Sequence, residues 1–108
     1  MPFDSQYHEQ APTREEIDQT PGKVVLEFGA NWCGHCQGLS STVESLLSSA
    51  HDVQHIRVAD GKGKRLGRSF GVKLWPTLVL LSDGEVVEQL VRPSPDHLTN
   101  AFTSFAST

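Results

Sequence analysis

The sequence predicts an α/β fold, a small mixed sheet with helices packed on it, and three observations carry that expectation. Val24-Val25-Leu26-Glu27-Phe28 is an almost unbroken apolar strand, the mark of a strand buried on both faces. An amphipathic helix follows it and leads into a second strand. Such a unit crosses over right-handed and makes its two strands parallel. Further on, two apolar strands flank Asp83-Gly84, the turn signature of an antiparallel hairpin.

The elements follow in chain order. The first dozen residues are polar and carry only weak signals, at most a short strand over 6–10, so firm order over 1–12 is not expected. Thr13-Arg14-Glu15-Glu16 has the form of a capping box and starts a short helix that ends near Thr20, before Pro21-Gly22. After the apolar strand, Gly29-Ala30-Asn31 breaks the extended run. A helix is predicted over 33–50, because Leu39, Val43, Leu46, Leu47 and Ala50 fall on one helical face. The second strand spans 53–59, with Ile56 and Val58 on one side. A Gly/Lys loop and a short helical turn over 66–70 come next. The hairpin strands are 77–81 and 86–91. Ser94 can cap a last helix that has Pro95 at its first position, with Leu98, Ala101, Phe102 and Phe105 as its core face.

The totals bound the function. A length of 108 residues is one ordinary domain, 1–108, without internal repeat or linker. Hydrophobic residues make up 37% and charged residues 20%, enough for a modest core and unlike a disordered tail. A net charge of −4 argues against a nucleic-acid partner, which a strongly basic surface would serve. No apolar run approaches the ~20 residues of a membrane span, so no membrane partner is expected. Met1-Pro2-Phe3-Asp4-Ser5-Gln6 lacks the basic and apolar regions of a secretory signal, and a cytoplasmic location is the expectation.

Both cysteines lie in one tetrapeptide, Cys33-Gly34-His35-Cys36. A bridge between them closes a tiny ring that hardly constrains the unfolded chain, so stabilisation is a poor reason for the pair. Its position is a better one. A cysteine that opens a helix meets unpaired backbone N–H groups and the positive end of the helix dipole, and both favour the thiolate. A second cysteine three residues on can attack the resulting mixed disulfide and release the product. Cys33 is then the attacking thiol and Cys36 the resolving one. Two other readings are a buried structural pair and half of a zinc site. The chain has no second cysteine pair, and of its histidines only His51 and His55 have ligand spacing, so no metal is expected.

With these residues in view, Phe28-Gly29-Ala30-Asn31-Trp32-Cys33-Gly34-His35-Cys36 resembles the active-site segment of the thioredoxin family. Phe70-Gly71-Val72 followed by Trp75-Pro76-Thr77 resembles its second signature, and Asp83-Gly84-Glu85 its hairpin turn. The likeness covers about 23–105. It implies a central mixed five-stranded sheet flanked by helices, and a cis Pro76 facing the cysteines, with the Trp75 backbone free to pair with an extended substrate. It implies thiol–disulfide exchange with protein substrates, as a reductant. A thiol reductase would be the electron donor and no bound cofactor is required. A monomer is expected.

Individual residues carry further expectations. Glu27 lies amid Val24, Val25, Leu26 and Phe28, where burial of an anion is costly and should raise its pKa. The resemblance makes it the buried acid that helps to move the proton of Cys36; the alternative is a carboxylate reaching solvent at a strand end. His35 stands where thioredoxins usually have proline, and Cys-Gly-His-Cys is typical of protein disulfide isomerases. An imidazolium there would favour the Cys33 thiolate and make the disulfide more oxidising. Trp32, Gly34 and Trp75 are expected beside the cysteines on the substrate-facing surface, the tryptophans gripping apolar substrate. Arg92 replaces a glycine of that surface and should favour acidic flanks. Gly29 replaces a usual aromatic, Ser41 replaces the proline that kinks the family's long helix, and no lysine is matched to the one that often partners the buried acid. Two rival functions stay open at this point, a binding module of the same fold and a metal carrier using the two cysteines.

Overall fold

The structure, a computed structural model, describes residues 3–107 of the 108. The chain forms α1 (Arg14–Asp18), β1 (Lys23–Gly29), α2 (Gly34–Ser48), β2 (Val53–Ala59), α3 (Arg65–Ser69), β3 (Thr77–Ser82), β4 (Glu85–Val91) and α4 (Pro95–Ala106). Local chemistry accounts for most of these boundaries. The capping box of α1 is complete: Glu16 N–H donates to the Thr13 hydroxyl, and Thr13 N–H to the Glu16 carboxylate. Ser94 accepts from His97 N–H at the start of α4, with proline in the first turn. The β3–β4 turn places Asp83 at φ 51° and Gly84 at φ 83°, the two positive values that a two-residue hairpin turn matching strand twist demands.

The sheet has four strands in the order β2-β1-β3-β4. The β1–β2 pair is parallel and the other two pairs are antiparallel. The crossover through α2 therefore gives the expected parallel pair. Five strands were expected. Along the outer edge of β2 the segment 6–10 makes only one isolated parallel bridge, His8 with Val58. Tyr7 is the one residue of that segment with an apolar body to bury, and its neighbours Gln6, His8, Glu9 and Gln10 stay exposed, so pairing does not propagate into a strand. The expectation of weak order over 1–12 includes Met1 and Pro2, which lie outside the described residues. Within it, Tyr7 is buried, and Asn31 pairs with its backbone at both ends of the peptide unit.

Strand side chains alternate between faces, so β1 contributes to two cores at once. Val24, Leu26 and Phe28 pack with Ile17, Val58, Leu66, Phe70, Val79 and Leu81 on the α1/α3 side. Val25 packs with Leu39, Val43, Leu47, Leu78, Leu80, Leu98 and Phe102 on the α2/α4 side. Glu27 follows Val25 on that second face, beneath the start of α2. The predicted helix over 33–50 is two residues shorter at its C-terminus than expected. Ser49 is the C-cap, and Ala50 and Val53 turn back to the carbonyls of Leu47 and Ala50.

Candidate active site

The site is assembled where β1 gives way to α2. Gly29 ends the strand, and Cys33 serves as the N-cap of α2. Its Sγ accepts the backbone N–H of Cys36 at 3.2 Å. Cysteine here does what serine or aspartate does at other N-caps, with its sulfur held among the unpaired N–H groups of the first turn. Cys33 is nearly buried and Cys36 completely so; neither is bonded to the other. Burial first, then the Cys33 sulfur, pushes the Cys36 thiol up to about 11, against a weaker pull from hydrogen bonds with Ala30 and Tyr7. At neutral pH Cys36 is then held as the thiol. A resolving cysteine so placed needs a base.

Glu27 lies on the sheet below. Its carboxylate is fully buried, which rejects the alternative of a strand-end side chain reaching water. The expected direction of its pKa is wrong. Burial alone raises it, but the hydrogen bond with His55 and the charge and hydrogen bonds of Arg57 outweigh burial and hold it below the ordinary carboxylate value. The geometry explains this. Glu27 Oε1 lies 2.9 Å from His55 Nε2 and 3.0 Å from Arg57 Nε. Oε2 lies 3.2 Å from Arg57 Nη2 and 2.5 Å from the Tyr7 hydroxyl. His55 Nδ1 accepts the Asp4 backbone N–H, so Nε2 carries the proton that reaches Glu27. Arg57 takes the place for which no lysine was matched. It stands opposite Glu27 in the parallel β1–β2 register, and its Nη2 also donates to the Ser40 hydroxyl.

Tyr7, His55 and Arg57 were not predicted. A signal for the last two existed: in 53–59, Val53, His55 and Arg57 alternate with Gln54, Ile56 and Val58, so one face of the strand carries two cations or donors. Tyr7 had none, because its neighbours read as a polar tail. The structure does account for Gly29 in place of an aromatic. A Cβ there would lie 2.6 Å from Cys36 Sγ and 2.8 Å from Tyr7 Cε1, so the ring of Tyr7 fills the space a larger residue would need.

The second signature also comes to the site. The Trp75–Pro76 peptide bond is cis. Trp75 packs against the cluster of Tyr7, Ala30, Cys33, Cys36 and Ala59, and its indole N–H donates to Asp60 at 2.9 Å. Trp32 is 76% exposed and meets Trp75 edge to face at 5.5 Å. A shallow groove of about 270 Å³ beside Cys33 is lined by Gly34, His35, Pro76, Arg92 and Pro93, among others. His35 is exposed on its rim. Arg92 occupies φ 45°, which suits the glycine it replaces, and its side chain reaches back so that Nε donates to the Trp75 carbonyl at 2.7 Å. Half of the backbone edge expected to receive substrate is therefore covered. Among the described residues no group of three or more His, Cys, Asp and Glu side chains is arranged to hold a metal ion, and no helix is long and apolar enough to cross a membrane.

Comparison with known proteins agrees with this geometry. Residues 5–104 match the thioredoxin family. The chain is 47% identical to a solved structure of thioredoxin 2 from Pseudomonas aeruginosa in its reduced form, covering 94% of this chain and 95% of that one with a TM-score of 0.84. It is 36% identical to a thioredoxin of Chlamydia muridarum over 70 residues, 65% of this chain and 69% of that protein. It is 25% identical to Thioredoxin H2 of Arabidopsis thaliana over 83 residues, 77% of this chain and 62% of the relative's length. With an intact Cys-x-x-Cys opening α2 and a family match across most of its length, the chain belongs to the thioredoxin family of thiol–disulfide oxidoreductases.

Proposed function

We propose that this protein reduces disulfides of protein substrates as a monomer in the cytoplasm, with Cys33 attacking, Cys36 resolving, and a thiol reductase restoring the dithiol. The observation that carries the assignment of roles is the position of the two sulfurs. Cys33 Sγ sits at the helix N-terminus and accepts a backbone N–H, which favours the anion that must attack. Cys36 lies one turn in, completely buried and with a raised pKa, so it acts second and only within the mixed disulfide.

Glu27 is the base that draws the proton of Cys36, and His35 on the groove rim tunes the dithiol toward the thiolate. Trp32, Gly34, Trp75 and Pro76 form the surface along which an extended substrate segment lies, with Arg92 setting its preference for acidic flanks. Replacement of each cysteine in turn tests the roles. Cys33→Ser should abolish reduction of an insulin disulfide, whereas Cys36→Ser should accumulate covalent mixed disulfides with substrate. Wild-type turnover in Cys33→Ser would overturn the assignment.

A further inference from the structure

Glu27 has no lone pair to spare for Cys36. Each carboxylate oxygen accepts two hydrogen bonds, and all four positions are taken, by His55 Nε2, Arg57 Nε, Arg57 Nη2 and the Tyr7 hydroxyl. Of these donors, Tyr7 packs in one buried cluster with Cys33 and Cys36. Tyr7 Cζ and Cys36 Sγ both lie within 3 Å of the point where a Gly29 Cβ would be, at 2.9 and 2.6 Å, so the phenol edge and the sulfur are neighbours. The hydroxyl thus stands between the buried acid and the resolving thiol.

We propose that Tyr7 is the relay through which the proton of Cys36 reaches Glu27. This rests on the roles given above to Cys36 and Glu27. In the resolving step the Cys36 sulfur bonds to the Cys33 sulfur as the bond from Cys33 to the substrate sulfur breaks, and the substrate leaves as a thiolate. The pair Cys33/Cys36 is oxidised to a disulfide and the substrate is reduced. The Cys36 proton passes to the Tyr7 oxygen while the Tyr7 proton passes to Glu27 Oε2, so Tyr7 begins and ends neutral. In the net balance the proton lost by Cys36 is matched by the one the departing thiolate takes up, and Glu27 returns to the carboxylate. Burial and the neighbouring Glu27 charge hold the phenol far above its ordinary pKa, so no free phenolate forms and the two transfers are concerted. The ionisable groups that face Tyr7 are Glu27 from β1, Arg57 from β2 and Cys36 from α2, with His55 behind Glu27.

Tyr7→Phe keeps the ring and deletes the hydroxyl. It should form the mixed disulfide at the wild-type rate and resolve it about a hundredfold more slowly at neutral pH, the low end of what a positioned acid–base group contributes. The deficit should shrink as the pH rises toward the thiol's own ionisation. In a Glu27→Gln background the same change should add little, because both residues act in one path. Tyr7 is the chain's one tyrosine, so uniform incorporation of fluorotyrosine changes the phenol's acidity at this position alone, without altering its packing, and should shift the resolving rate. An unchanged resolving rate and pH profile in both the phenylalanine and fluorotyrosine proteins would overturn the relay, as would additive losses in the double variant. Failure to form any mixed disulfide in the wild type would instead overturn the cysteine roles.

Discussion

The two faces of β1 make a useful contrast. Leu26 and Phe28 point into a cluster of apolar side chains, while Val25 and Glu27, one residue out of step, point toward α2. The first face obtains its stability from volume and area alone. The second carries a charge near its end, and that charge is tolerable because four donors of three residues, Tyr7, His55 and Arg57, converge on it. A single strand therefore serves one core with Val24, Leu26 and Phe28, and with Val25 and Glu27 a second core that ends in a buried charge. The apolar face and the face that carries the charge are separated by the width of a peptide backbone.

The largest expected effect would break that contrast if it failed. Leu26→Ala should cost about 2–5 kcal/mol of stability and leave the exchange rates of the folded protein unchanged. Arg57→Leu removes one partner from a buried charge, and should cost about 3–5 kcal/mol and also alter the resolving rate. Denaturant unfolding together with stopped-flow exchange checks both, and a Leu26→Ala protein that resolved slowly while folded would show that the faces are not independent.

A smaller effect sharpens the comparison through pH. Because the folded-state pKa of Glu27 is depressed, its contribution to stability is fully present above the ordinary value of 4.5 and is lost as pH falls through the lower folded value. Glu27→Gln should reduce the slope of stability against pH in that acid range, with no comparable change from any substitution on the apolar face. Urea midpoints of wild type and variant across about pH 6 to 3 measure this, and parallel curves would mean that Glu27 is not held as an anion.

The smallest effect concerns Arg92, at the groove rather than the sheet. Arg92→Gly relieves a left-handed backbone position, worth about 1 kcal/mol. It also uncovers the Trp75 carbonyl that Arg92 Nε now occupies. It should broaden the range of disulfides accepted and weaken any preference for acidic flanks. Rates on matched peptide disulfides with acidic, neutral and basic flanks check it, and identical flank profiles would place Arg92 outside the recognition surface.

What could be read directly was local. The Thr13–Glu16 capping box, the Asp83-Gly84 turn, the apolar face of α2 and the Cys33–Cys36 spacing each rest on residues within a few positions of one another, whose backbone geometry is set by short-range sterics and hydrogen bonding. The thiol chemistry belongs to the same class, since a helix start and a three-residue spacing suffice to define an attacking and a resolving sulfur. The sequence also singled out Glu27 as a carboxylate in an apolar strand, and the family resemblance gave it its expected role.

The sign of its pKa shift was decided only by tertiary structure. The partners of Glu27 stand 20 positions before it, at Tyr7, and 28 and 30 positions after it, at His55 and Arg57. Which of the chain's donors meet there depends on the register of β1 with β2, and on the N-terminal segment that crosses their edge. The missing fifth strand was decided in the same way, by how little residues 6–10 have to bury beyond one tyrosine ring. Desolvation can be inferred from a residue's neighbours along the chain, but compensation for it comes from neighbours in space, and these exist only once the strands have paired.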